Sequence, residues 1–118
     1  MKEIILKMAS PNEALTFSRL LFKNGFIPNK AIIKYDLSVG LPGEIKRLDQ
    51  YPLRLEGNLN GHAMRVLVTP LAAGCSCEAS RALFHILRAA DFPVQDIRDF
   101  TTIRHVKNGK VDLVLNRK

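Results

Sequence analysis

Asn60-Gly61, set between two runs of alternating apolar residues, constrains this chain more than any other feature. Asparagine followed by glycine is the strongest local signature of a two-residue hairpin turn, because a type I′ turn needs positive φ at both central positions. The turn dictates the pairing. Leu59 stands opposite His62, Gly57 opposite Met64, Leu55 opposite Val66 and Leu53 opposite Val68 on one face. Asn58 with Ala63, Glu56 with Arg65 and Arg54 with Leu67 make up the other face. Apolar partners meet on the first face and opposite charges on the second, and a slip of one residue would destroy both matches.

Upstream, Glu3–Met8 is an apolar run of strand length. Ser10-Pro11-Asn12-Glu13 then predicts a helix: Ser10 caps it, Pro11 takes its first position and Glu13 completes a capping box. Ala14, Phe17, Leu20 and Leu21 recur at helical spacing. Asn24-Gly25 stops the helix, with Gly25 able to take the left-handed cap and Phe26 placed to pack back on Leu21. Lys30–Leu37 reads as a second strand. Gly40, Pro42 and Gly43 break the pattern after it, with room for one helical turn at Gly43–Asp49. This glycine-rich stretch lacks the Lys-Ser/Thr of a phosphate-binding loop and the spacing of a dinucleotide fingerprint, so it reads as a turn.

Beyond the hairpin, Ser76 is placed to cap a helix whose core face is Ala79, Ala82, Leu83, Ile86, Leu87 and Ala90. Glu78, Arg81, His85 and Arg88 fall on its opposite side, and Phe92-Pro93 ends it. A second Asn-Gly, Asn108-Gly109, marks a terminal hairpin of Thr101–Lys107 and Lys110–Asn116, with Val106 facing Val111, His105 facing Asp112 and Ile103 facing Val114. Lys107-Asn108-Gly109-Lys110 also suits a type I turn with a bulge, which would shift that register.

The expected order is therefore β-α-β-turn-β-β-α-β-β. Helices interspersed with hairpin strands imply an α+β, two-layer α/β sandwich, its sheet mixed or antiparallel and its two helices on one face. A ferredoxin-like βαββαβ order with an extra C-terminal strand fits. At 118 residues the chain reads as one α+β domain, 1–118, with enough length for a core. No internal repeat or low-complexity segment interrupts it, and no motif set ties it to a known family.

Charge narrows the partner. Eighteen Lys/Arg against eleven Asp/Glu give a net +7, and the pI is near 9.8. Such a balance favours anionic partners: nucleic acid or another acidic molecule. Thr101–Lys118 alone holds Arg104, Lys107, Lys110, Arg117 and Lys118 against Asp112, a net +4. Two surfaces compete for a nucleic-acid role. One is this basic hairpin, with Arg104, His105, Lys107, Lys110, Arg117 and Lys118; the other is the helix bearing Arg81 and Arg88 around Phe84. The absence of Trp, with two Tyr and six Phe mostly at core positions, argues against base stacking as the mode and for contacts with the phosphate backbone, whether RNA or DNA.

The remaining candidates carry weaker chemistry. Gly74-Cys75-Ser76-Cys77 precedes a helix, where the unpaired N–H groups favour a thiolate or an anion, and Cys75 and Cys77 with His62 or His85 make up an alternative, metal-binding reading. Close packing of small residues explains the same stretch, Glu78 would repel an anion, and a lone Cys-x-Cys is a poor metal signature. His105 opposite Asp112 lacks a nucleophile, so no catalytic residue, metal or cofactor is assigned. The expectation is a non-enzymatic, regulatory or accessory binding module. Two cysteines at i and i+2, with no signal-like or membrane-length apolar run, place it in the cytoplasm as a reduced protein. The alternative is a protein-interaction or oligomerisation domain, including a homodimer. It rests on long hairpin edges and on strands with apolar residues on both faces, such as Leu67 and Val114.

Overall fold

A computed structural model describes residues 1–34, 51–71, 78–94 and 112–117. In chain order the elements are β1 (Lys2–Lys7), α1 (Pro11–Lys23), β2 (Phe26–Lys34), β3 (Leu53–Leu59), β4 (His62–Thr69), α2 (Glu78–Ala89) and β5 (Asp112–Asn116). The five strands form one mixed sheet in the order β1-β4-β3-β2-β5.

The β3–β4 hairpin sits at the centre of that sheet in the expected register, from Leu53↔Val68 through Leu55↔Val66 to Leu59↔His62. Its turn residues Asn60 and Gly61 both have positive φ, 51° and 86°, as type I′ geometry demands. β1 joins the free edge of β4 in parallel, pairing Ile4↔Val66 and Leu6↔Val68. β2 joins the free edge of β3 antiparallel, and β5 pairs antiparallel with β2. β1 and β2 thus run parallel with two strands between them, a split β-α-β unit around α1. That unit matches a ferredoxin-like order in part. The sheet departs from a purely antiparallel one because β1 stands at its edge, parallel to β4.

β2 begins earlier than the sequence suggests, at Phe26 and not at Lys30. Pro28 looks like a strand breaker, and the structure accommodates it at a bulge: the register skips Asn29 between Pro28↔Gly57 and Lys30↔Glu56. The extra residue shifts the alternation, so Phe26 and Pro28 face the core together with Ala31 and Ile33. β5 pairs with β2 from Lys30 onward, so the missing N–H of Pro28 costs no strand-to-strand bond on that side. Opposite the bulge lies Gly57. A Cβ there would stand 2.1 Å from the Ile27 carbonyl oxygen and 2.6 Å from Pro28 Cα. Only hydrogen fits. An isolated glycine inside an otherwise regular strand is the sequence sign of such an approach.

α1 starts as its sequence dictates. Ser10 Oγ accepts from the Glu13 N–H at 3.2 Å, and the Glu13 carboxylate accepts from the Ala9 N–H at 3.2 Å. Gly25 follows the Asn24 C-cap at φ 104°, and Phe26 stacks on Phe22 with ring centroids 6.2 Å apart. The buried face of α1 is turned from the expected one. Ala14 and Ser18 are buried and Leu15, Leu21 and Phe22 half-buried, whereas Phe17 and Leu20 are exposed. The two helices pack on each other, and small side chains at Ala14 and Ser18 suit close approach. α2 buries Ala82, Leu83, Ile86 and Leu87 as expected and adds Ser80. These residues share one core with Val66, Val68, Leu53, Leu55, Ala31 and Ile33. Both helices therefore cover the same face of the sheet.

α2 ends in a Schellman motif: the Phe92 N–H donates to the Leu87 carbonyl and the Asp91 N–H to the Arg88 carbonyl. Asp91 takes the left-handed position at φ 64°. The Tyr35–Leu37 end of the predicted second strand, the turn at 40–49, the Ser76 cap, and the Thr101–Lys107 strand with its Asn108-Gly109 turn lie outside the described residues.

Two substitutions test this packing. Gly57→Ala drives a methyl group into backbone and is expected to lower the unfolding free energy by about 3 kcal/mol or more, read by urea denaturation. Ser18→Ala removes a buried hydroxyl that makes no hydrogen bond among the described residues. It is expected to raise stability by about 1 kcal/mol, since an unsatisfied buried polar group carries a desolvation penalty.

Candidate nucleic-acid interface

The sheet face turned away from the helices carries charges in alternating order. One row across the strands reads Glu3 (β1), Arg65 (β4), Glu56 (β3), Lys30 (β2). Arg65 Nη1 lies 3.4 Å from Glu3 Oε2, and Arg54 Nε lies 3.7 Å from Glu56 Oε2. These arginines are engaged by carboxylates of their own sheet and are half-buried, so they are poorly placed to attract an outside anion.

Arg117 is engaged as well. Its backbone N–H donates to the carbonyl of Asn29, the bulge residue, at 3.0 Å. Its Nη2 donates to Asp91 Oδ2 at 3.0 Å. The residue ties the end of β5 to the bulge of β2 and to the C-terminal cap of α2. A residue read from sequence as a nucleic-acid contact thus has a carboxylate beside it.

The helical layer is different. Arg81, His85 and Arg88 fall on one exposed stripe of α2, as helical spacing requires. Arg88 lies over the Phe84 ring, 5.6 Å from its centroid, and the Phe84 and His85 rings meet edge to face at 5.3 Å. This stacking holds the guanidinium at the surface by a cation–π contact. Neither Arg81 nor Arg88 forms an ion pair among the described residues. The same holds for Arg19 and Lys23, one turn apart and exposed on α1. The sequence reading overlooked this second pair; their i, i+4 spacing on a capped helix was the available signal. The carboxylates on the two helices, Glu13 and Glu78, sit in the first turns. There they complement the helix dipole.

Of the other residues singled out in the sequence, Arg104, His105, Lys107, Lys110 and Lys118 lie outside the described residues, and so do Gly74, Cys75, Ser76 and Cys77. His62 is exposed at the hairpin tip. Among the described residues, no group of three or more His, Cys, Asp or Glu side chains is placed to hold a metal ion.

The Asp91 junction can be tested directly. Asp91→Gly relieves the left-handed backbone while losing an exposed ion pair worth about 0–1 kcal/mol. It is expected to leave stability unchanged or raise it slightly. Asp91→Ala keeps the backbone penalty and loses the pair, so it is expected to cost about 1 kcal/mol or more. Urea midpoints of the two variants should fall in that order.

Comparison with protein-family models, curated proteins and solved structures finds no match to this chain.

Proposed function

We propose that this protein is a non-enzymatic binding module for the phosphate backbone of nucleic acid, serving a regulatory or accessory role. The observation that supports it is the set of exposed cations on the helices that form no ion pair among the described residues, Arg19 and Lys23 on α1 with Arg81 and Arg88 on α2, in a chain of net charge +7. The basic C-terminal residues Arg104, His105, Lys107, Lys110 and Lys118 supply the remainder of the contact in this reading, with Arg117 held instead by Asp91. The many arginines and lysines, in a chain without Trp, favour backbone contacts over base recognition. Affinity should therefore be weakly dependent on sequence and strongly dependent on salt. The same reading takes the fold as a variant of the ferredoxin-like order with an added C-terminal strand, and it places the protein in the cytoplasm beside its nucleic acid.

Titration of labelled single- and double-stranded DNA and RNA at increasing salt tests the proposal. Arg81→Ala and Arg88→Ala should each reduce the slope of log K against log salt by about 1, because each removes about one phosphate contact. Absence of salt-sensitive binding at micromolar protein overturns it. Binding to acidic polypeptides in place of nucleic acid assigns the basic surface to an acidic protein partner and overturns it equally.

A further inference from the structure

We propose that β1 is a self-association edge, pairing antiparallel with β1 of a second copy about a two-fold axis through Ile5. This inference is independent of the nucleic-acid reading, since none of its residues lies on the helices.

Among the described residues, β1 pairs with β4 alone. The direction of its backbone groups is set by the bond from the Met8 N–H to the Thr69 carbonyl at 3.0 Å. Backbone groups of alternate residues point to the same edge of a strand. Lys2, Ile4, Leu6 and Met8 therefore bond inward to β4, while the N–H and C=O of Glu3, Ile5 and Lys7 point outward. These same three residues place their side chains on the sheet face away from the helices, in rows with Arg65, Leu67 and Thr69. All three are exposed, Ile5 at 51%. Among the described residues no strand lies beyond β1, and a branched apolar side chain at the centre of such an edge is an arrangement that native sheets ordinarily avoid.

The pattern is self-complementary in one register. A two-fold axis at Ile5 sets Ile5 against Ile5 of the second copy, Glu3 against its Lys7 and Lys7 against its Glu3. All three pairs use the outward backbone groups, so about six N–H···O bonds can form. Pairing centred on Ile4 or Leu6 would instead set Glu3 or Lys7 against Ile5. On the face away from the helices, the row Lys30, Glu56, Arg65, Glu3 gains Lys7 of the second copy as its next member, so the sign alternates across the junction. Lys7 has no ion pair among the described residues. The apolar row of Leu67 and Ile5 continues into Ile5 and Leu67 of the second copy. On the helix side, half-buried Ile4 and Leu6 face each other across the axis. Such an interface is isologous and closed, so it yields a dimer and not a fibre. A single six-residue edge falls below the roughly 1,200 Å² of standard interfaces, which places the dimer in the weak, micromolar class.

Sedimentation equilibrium from about 10 to 500 μM brackets that class. The wild-type chain is expected to pass from monomer to dimer. Glu3→Lys alone and Lys7→Glu alone are each expected to weaken dimerisation by at least about tenfold, because two cross-strand pairs turn repulsive at once. An equimolar mixture of the two variants should dimerise again as the heterodimer, a result that a folding defect cannot produce. Amide exchange of the wild-type chain gives a mutation-free check: the Ile5 and Lys7 N–H groups should exchange more slowly at the higher concentration. A monomer throughout the range, single variants that dimerise like wild type, a mixture of folded variants that stays monomeric, or concentration-independent exchange at Ile5 and Lys7 overturns the proposal.

Discussion

The register of the β3–β4 hairpin is the constraint on which the rest of this structure depends. Because side chains alternate along a strand, a slip of one residue would move Leu53, Leu55, Met64, Val66 and Val68 from the helix-covered face to the other. Each of these buried side chains contributes about 1.5–3 kcal/mol relative to exposure. The turn holds the register by geometry alone, since Asn60 and Gly61 adopt the positive φ values that a two-residue connection with the correct twist needs. Both free edges of the hairpin then act as templates, β4 for β1 and β3 for β2. The second template carries its own condition. The backbone of β2 closes on Gly57 at the bulge, so sheet continuity requires a residue without a side chain at that one position.

The two faces of the sheet are stabilised by different means. On the helix side, apolar rows such as Ile4–Val66–Leu55–Ala31 run across the strands beneath Leu83, Ile86 and Leu87. On the other side, rows of charge alternate with rows that are partly apolar. Partly exposed ion pairs such as Arg65–Glu3 and Arg54–Glu56 contribute about 0–1 kcal/mol each. They cannot hold the sheet together against the burial term. Their effect is on specificity: opposite charges at neighbouring positions favour the observed neighbours and penalise shifted ones.

How much of this was legible in the sequence follows from the range of each interaction. The hairpin was readable to the residue because turn and partners are contiguous and two independent patterns, apolar and charged, agree on one register. The caps of α1 were readable for the same reason: Ser10, Pro11, Glu13 and Gly25 act within a turn of themselves. The parallel placement of β1 beside β4 was not readable, because it pairs residues more than sixty positions apart and no local pattern names the partner. The face of α1 was misjudged because helix-on-helix contact favours small residues. Ser18 is buried there while Phe17 and Leu20 remain outside. Pro28 hid the start of β2, since a proline reads as a break unless the bulge beside it is known. In the candidate site, the exposed stripe of α2 followed from helical spacing, whereas the engagement of Arg117 by Asp91 spans the chain from α2 to β5 and left no local trace.

That last contrast bears on what a net charge means. A count of +7 treats all cations alike, yet the fold divides them. Arg54, Arg65 and Arg117 have carboxylates within 4 Å, and an anion approaching them meets a local dipole in place of a free positive charge. Arg19, Lys23, Arg81 and Arg88 have none among the described residues, and the acidic groups on their helices are drawn to the first turns. Attraction falls off over about 8–10 Å at physiological salt. A polyanion therefore responds to the charge left uncompensated within that distance of a surface; among the described residues that is Arg19, Lys23, Arg81 and Arg88 on the helices and Lys2, Lys7 and Lys30 on the strands. Distribution, more than total, decides which side of such a molecule an acidic partner meets first.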